Sequence, residues 1–239
     1  MATTYLVVGE SGTGKSTSLG NVESLGLKGL DPKETAIINV MDKPLPFKGS
    51  RTAYGNLISQ GGNYAQTSNT DVILKILGVL KERADIKNIV IDDFQYIMAD
   101  EFMAKALKKG YDKFNEIGKH AYDVITYGKN MRPDQNFICL THSDFDDKTG
   151  SYKLKTIGNL LDNKVNLAGL FTVILYTLVE ATTNEEKVRK IDYNFVTNKY
   201  VNNAGIEIPA KSPVGMFDSL LIPNDLGLVV EKADEYYGS

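Results

Sequence analysis

Two groups of residues have the types and spacing to do chemistry together. Gly9-Glu10-Ser11-Gly12-Thr13-Gly14-Lys15-Ser16 fits the phosphate-loop spacing G-x-x-x-x-G-K-[ST] without a mismatch. In such a loop the glycines let successive backbone N–H groups turn toward phosphate oxygens, Lys15 reaches the β- and γ-phosphates, and the Ser16 hydroxyl ligates Mg²⁺. The second group is Asp92-Asp93, two carboxylates closing the apolar run Asn88-Ile89-Val90-Ile91. Asp92 is expected to hold the metal and Asp93, as an acidic neighbour, to polarise an attacking water. The expected chemistry is phosphoryl transfer from ATP to water with Mg²⁺. Gly9, Glu10, Ser11, Gly12, Thr13, Gly14, Lys15, Ser16 and Thr17 are the expected nucleotide contacts.

A phosphate loop must join a buried strand to a helix, and the flanks have that character. Tyr5-Leu6-Val7-Val8 reads as a strand and Ser16 to Ser24 as a helix whose positive end would add to the anion site. Ala36 to Val40 reads as the second strand. The span from Asp42 to Thr70, with Pro44, Pro46, Gly49, Gly55, Gly61 and Gly62, has no sustained period and reads as a long loop around at most one short helix. Asn69 or Thr70 caps a helix carrying Val72, Ile73, Ile76, Leu77 and Leu80 at helical spacing. Met98 to Tyr127 is helix-rich, with Phe102, Ala106, Tyr111, Phe114, Ile117, Ala121 and Val124 as its buried side. Its Lys105, Lys108, Lys109 and Lys113 read as a solvated face.

Asn136 to His142 is the next strand, with Thr141 and His142 at its tip. A short helix is expected over Leu160 to Val165, a strong strand over Leu170 to Tyr176, and a half-buried strand over Lys190 to Thr197 that Asn198-Lys199 turns. Alternating strands and helices predict an α/β fold with a mostly parallel sheet flanked by helices and C-terminal antiparallel strands. The expected division is an ATPase core over 1–180 and a strand extension over 181–239 packed on the same domain.

Composition narrows the class. The chain has 239 residues, 42% hydrophobic and 24% charged, with a formal net charge of −3. These are globular values, with no apolar run long enough to span a bilayer and no global attraction to nucleic acid. The single cysteine, Cys139, lies in an apolar run and has no partner for an internal disulfide. With no signal-peptide pattern at the start, the expected compartment is the cytoplasm.

On GESGTGKS at 9–16, NIVIDDF at 88–94, FICLTH at 137–142 and the later runs LFTVILYTLVE and KIDYNFVTNKY, the chain resembles the RecA-like P-loop ATPases. Within them it is similar to the small phage-encoded nucleotide-binding proteins of AAA/RecA type linked to recombination and single-strand annealing. The resemblance implies a central strand inserted beside the phosphate loop, with His142 or Thr141 at its tip sensing the γ-phosphate. It also implies a catalytic Glu after the second strand, where this chain departs from the pattern with Asp42, so the water-activating group stays open between Asp42 and Asp93. Such proteins form rings or filaments in which a basic residue reaches a neighbour's phosphates; Lys199 and Lys211 are the candidates here. The implied partners are single-stranded DNA, phage recombination or replication proteins, and further copies of the chain, in the host cytoplasm.

Other classes fit less well. Asn163-Lys164 and Asn198-Lys199 are not followed by the residues of a guanine motif, and the arginines Arg51, Arg83, Arg132 and Arg189 are too scattered for a phosphate-clamping kinase. An ATP-switched loader or adaptor acting on a helicase or packaging machine, without touching DNA, remains an alternative. For direct DNA contact the expected segment is Ser143 to Thr156, where Lys148, Tyr152, Lys153 and Lys155 offer cations and a stacking ring. Asp144, Asp146 and Asp147 oppose it, with Lys48 and Arg51 in the long loop as the fallback.

Overall fold

A computed structural model describes residues 1–147, 149–157, 165–183, 189–202 and 205–238. Its frame is a mixed sheet in which β1 (Thr3–Gly9), β2 (Thr35–Asn39), β3 (Tyr64–Gln66), β4 (Asn88–Asp92), β5 (Asn136–Asp146) and β7 (Val173–Thr183) run parallel. β8 (Arg189–Val196) and β11 (Leu221–Pro223) extend the sheet antiparallel, giving the order β11-β8-β7-β1-β5-β4-β2-β3. β7 runs through residue 180, so the expected core and extension share one sheet. Three short strands, β6 (Ser151–Leu154), β9 (Tyr200–Val201) and β10 (Glu207–Ile208), form a small sheet against the outer end of β5.

The central strands are apolar on both faces because helices cover both sides. Leu6, Val8, Ile89, Ile91, Phe137 and Cys139 point toward α2 (Thr70–Glu82), α3 (Gln95–Ala104) and α4 (Asp112–Lys129), where they meet Leu77, Met98, Ala121 and Val124. Tyr5, Val7, Val90, Ile138 and Leu140 face the other way, onto Leu19, Leu30, Tyr54 and the Leu226, Val229 and Ala233 side of α5 (Leu226–Tyr237). Truncating a side chain such as the fully buried Leu77 to alanine costs roughly 2–5 kcal/mol, from lost transfer energy plus the cavity left behind.

Strand order positions the chemistry. β5 lies between β1 and β4, with Gly9 in register with His142 and Ile91 with Cys139. The phosphate-loop sequence, His142 and Asp92 therefore leave the same carboxyl edge of the sheet, where ligands bind in open parallel sheets.

Several expectations need correction. The helix expected over Ser16 to Ser24 is replaced by a 3₁₀ turn, Thr17–Leu19, and the start of a second, Glu23–Leu25. Ser18 N–H bonds Gly14 O at 3.0 Å as a helix would, but Gly20 then leaves helical geometry at φ −105°, ψ 160°. A Cβ there would stand 2.2 Å from the Phe47 ring, so a contact from a distant segment ends the helix at a residue already poor at continuing one. The long loop after β2 holds one short helix, α1 (Ser50–Ala53), as one of the two expectations had it, and also the edge strand β3, which was not expected.

The helix-rich stretch divides into α3 and α4, and Ala106 and Tyr111, expected on the buried side, are exposed in the connection. Lys105, read as part of a solvated face, ion-pairs with Glu101 and Glu116, and its side chain is only 14% exposed. The segment from Ser143 is not a free loop, since β5 continues to Asp146 and folds back as β6. The helix expected over Leu160 to Val165 lies almost wholly outside the described residues. Among the described residues no helix is long and apolar enough to cross a membrane.

Candidate functional site

The phosphate-loop residues Ser11, Gly12, Gly14, Lys15, Ser16 and Thr17 line a cleft of about 540 Å³ at the carboxyl edge, together with Asp92, Asp93 and His142. Gly14 shows why the loop needs glycine. Its φ is +92°, and a Cβ would stand 2.3 Å from the Asn224 side-chain nitrogen. Gly9, Glu10 and Thr13 sit at the mouth of a smaller neighbouring pocket with Tyr152, Tyr176 and Thr177. Thr13 Oγ1 lies 2.6 Å from Thr177 Oγ1 on β7, and donates to Glu10 O at 2.8 Å. The loop is followed by a 3₁₀ turn, so no long helix dipole points at it.

Lys15 is buried, and its ammonium donates to Gly9 O at 2.9 Å and Glu10 O at 2.7 Å. Burial lowers its pKa, partly opposed by Asp93 and Asp92. Ser16 donates from Oγ to Asp92 Oδ1 at 2.9 Å. Asp92 is 6% exposed, and burial followed by the Asp93 charge pushes its carboxyl up to about 6, with the Ser16 bond and Lys15 pulling the other way. A buried carboxylate beside a hydroxyl, each able to offer oxygen to a hard cation, is a donor set that suits Mg²⁺.

Asp93 leaves β4 in the left-handed region, φ +65°, a conformation uncommon outside glycine and one that aspartate adopts more readily than most residues. The turn re-aims its carboxylate along the sheet edge. Lys43 Nζ lies 2.9 Å from Oδ2, His142 Nε2 3.4 Å from Oδ1, and Gln95 Nε2 3.4 Å from Oδ1. Gln95 also accepts the His142 backbone N–H at 3.1 Å, tying the β4 and β5 tips together. Tyr96 packs edge-on against the His142 ring at 6.2 Å. Burial, then Lys15, lowers the His142 pKa, while Asp93 raises it.

Not every expected residue joins this group. Asp42 is exposed with φ +52°, accepts from the Tyr64 hydroxyl at 3.3 Å, and lines a separate pocket with Arg51, Tyr54 and Tyr64. The next residue, Lys43, lines both that pocket and the cleft. Thr141 is fully buried and shares the Phe137 and Cys139 side of β5, so by strand alternation it faces α3 and α4 and His142 faces the cleft. Lys199 pairs with Glu207 at 2.8 Å, and Lys211 donates to Phe171 O at 2.8 Å. On the hairpin, Lys153 lies 3.6 Å from Asp146, and Tyr152 packs edge-on against Phe145. Lys155 N–H bonds His142 O at 3.1 Å, and Lys148 lies outside the described residues. Of the fallback pair, Lys48 is exposed and Arg51 lines the Asp42 pocket.

Sequence reasoning passed over Lys43, Gln95, Tyr193 and Asn224. Gln95, two residues after Asp93 at the start of α3, had a signal in its spacing. Asn224 had none: it lies 210 residues from Gly14, yet its fully buried amide donates to Gly14 O at 2.9 Å. Its neighbour Asp225 caps α5 and accepts from the Lys28 and Gly29 N–H groups at 2.6 and 3.0 Å. Tyr193 on β8 lines the cleft beside Gly14. A scan against protein-family models finds no match to this chain, and a search of curated proteins finds none either.

Proposed function

We propose that this chain is a RecA-like P-loop ATPase that binds Mg·ATP and hydrolyses it to ADP and phosphate. The observation carrying this reading is the Ser16–Asp92 bond of 2.9 Å, which joins the end of the phosphate-loop motif to the acidic end of β4 across the intervening β5. Ser16 and Asp92 would hold Mg²⁺, which when bound neutralises charge on the β- and γ-phosphate oxygens. Lys15 gives up its two carbonyl contacts to bind phosphate. Asp93 orients the attacking water and accepts its proton, and His142, held by Gln95, reads the state of that carboxylate. Positioning and charge neutralisation carry most of the rate, as in phosphoryl transfer generally.

The hairpin that continues β5 gives the ATP site a short route to a partner. Because the β6 strand and Lys155 hang from the same strand as His142, a change at the cleft moves Tyr152, Lys153 and Lys155 without a relay. On this reading the protein acts on single-stranded DNA in phage recombination or replication, as an oligomer. The Lys153–Asp146 pair favours a second reading, an ATP-switched loader or adaptor with no DNA contact, since it spends a cation internally. ATP turnover measured alone, with single-stranded DNA and with double-stranded DNA separates the two. Stimulation by single strands supports the first, and turnover indifferent to DNA supports the second.

A further inference from the structure

We propose that Lys43 is the cation that recognises the terminal phosphate of a nucleoside triphosphate, so that the cleft distinguishes triphosphate from diphosphate through a residue outside the phosphate loop. The proposal rests on the ATP-binding reading above and deepens it.

Among the described residues lining the cleft, Lys15 and Lys43 are the only lysines or arginines. Their surroundings differ in a way that assigns them different tasks. Lys15 is buried and reaches the β- and γ-phosphates from within the loop, so a cation acting on the terminal phosphate from the open side of the cleft must be the other one. Lys43 has a side chain 56% exposed, on a backbone that is firmly placed: the buried Asn39 donates from Nδ2 to Lys43 O at 2.7 Å, and Val40 N–H bonds Asp92 O at 3.1 Å. The base of the side chain is thus fixed beside the metal-binding strand while its ammonium is free to move.

That ammonium lies 2.9 Å from Asp93 Oδ2 and 5.2 Å from the centre of the Tyr96 ring. Asp93 is the carboxylate placed to orient water, and water attacks the terminal phosphorus, so an ammonium touching Asp93 stands next to the terminal phosphate and away from the inner ones. Lys43 meets the buried Asp93 from the solvent side, its own side chain 56% exposed and that of Asp93 12%, and a phosphate dianion, with its greater charge, competes for the lysine effectively. With a triphosphate bound, Lys43 leaves Asp93 for the phosphate and frees the carboxylate for the water. With a diphosphate bound, Lys43 stays on Asp93. One side chain then couples the state of the nucleotide to the availability of the water-orienting group.

The test is calorimetric binding of Mg·ADP and of a non-hydrolysable Mg·ATP analogue to wild type, Lys43→Met, Lys43→Arg, Asp93→Asn and the Lys43→Met/Asp93→Asn double variant. The expected result is a roughly tenfold or greater loss of analogue affinity in Lys43→Met, with ADP affinity within about twofold of wild type and most of the loss restored in Lys43→Arg. The same selective loss must appear in the Asp93→Asn background, because the contact is to phosphate. If it vanishes there, Lys43 merely neutralises Asp93 and the proposal is overturned. Equal losses for both nucleotides, or none, also overturn it while leaving the ATP-binding reading in place. A wild-type protein that binds neither nucleotide overturns both.

Discussion

Ser16 and Asp92 are 76 residues apart in the chain, and the Ser16 hydroxyl donates to the Asp92 carboxylate at 2.9 Å across the carboxyl edge of the sheet. The bond exists because β5 separates β1 from β4 and the loop after β1 must curl back over β5 to reach it. Two oxygens of a kind that suits a hard cation are thereby held together.

The burial of Asp92 has a cost in stability. Its carboxyl is pushed up to about 6 from the ordinary 3.8, chiefly by burial. Between those two values the folded state holds a proton that the unfolded state has released, so stability falls as pH rises through that window. Below about 3.8 the group contributes nothing, and above about 6 the full penalty stands. The expected contribution is on the order of 1–3 kcal/mol. Thermal unfolding of metal-free wild type and Asp92→Asn from pH 4 to 7 checks it: the difference between them should grow in favour of the variant as pH rises. A constant difference would place the Asp92 charge in a better-solvated setting.

Asp93 and Asp42 divide the two carboxylate candidates for activating water. Asp93 touches Lys43, Gln95 and His142 at the cleft, and Asp42 bonds Tyr64 in another pocket. Asp93→Asn is expected to keep Mg·ATP binding and slow turnover by ~10²-fold or more, the size of a general-base loss, with Asp42→Asn close to wild type. Steady-state hydrolysis of the two variants decides; the opposite pattern would move the base to Asp42.

Asn224 predicts a link between the C-terminal segment and the loop. Its amide holds Gly14 O from a fully buried position, so Asn224→Ala leaves that carbonyl with the Ser18 N–H as its remaining donor and opens a small cavity. The expected loss is about 0.5–1.5 kcal/mol of stability, the size of one net hydrogen bond, accompanied by weaker nucleotide binding because the C-terminal segment no longer holds the loop. Denaturant unfolding and nucleotide titration on the same preparation check both parts. A stability loss with unchanged nucleotide affinity would make Asn224 a purely structural residue.

What could be read in advance follows the range of the interactions. The phosphate loop, the acidic end of β4 and the Asn69 cap of α2, whose Oδ1 accepts from Val72 N–H at 3.1 Å, are local patterns. The parallel core was legible for the same reason, as apolar runs broken by turns. The helix after the loop was misjudged because Phe47, far along the chain, packs where a side chain at residue 20 would stand. Lys43 was missed because it lies in a stretch without sustained period, and no pattern of types signals that its ammonium reaches Asp93, 50 residues on. Asn224 and Tyr193 reach the site only because β8 and β11 extend the sheet past β7, a topology that spacing does not encode.

The hairpin gives the prediction for DNA. Changing Lys153 and Lys155, with Lys148, to alanine is expected to weaken single-strand binding and flatten its salt dependence, by up to ~0.7 in slope for each DNA phosphate that is no longer neutralised. Nucleotide affinity should be unchanged. Anisotropy at several salt concentrations with a non-hydrolysable ATP analogue measures both. Equal slopes would favour the adaptor reading or transfer the DNA site to Lys48 and Arg51.

The central claim is that Lys15 binds nucleotide phosphate, and calorimetric titration of Mg·ATP into wild type and Lys15→Ala tests it most directly. Lys15 is buried against two carbonyls of its own loop, a placement that a structural lysine has little reason to adopt and a phosphate-binding lysine does. The account predicts saturable binding by wild type and its loss in Lys15→Ala, with circular dichroism showing the variant folded. No binding by wild type, or equal affinity in the folded variant, would contradict it.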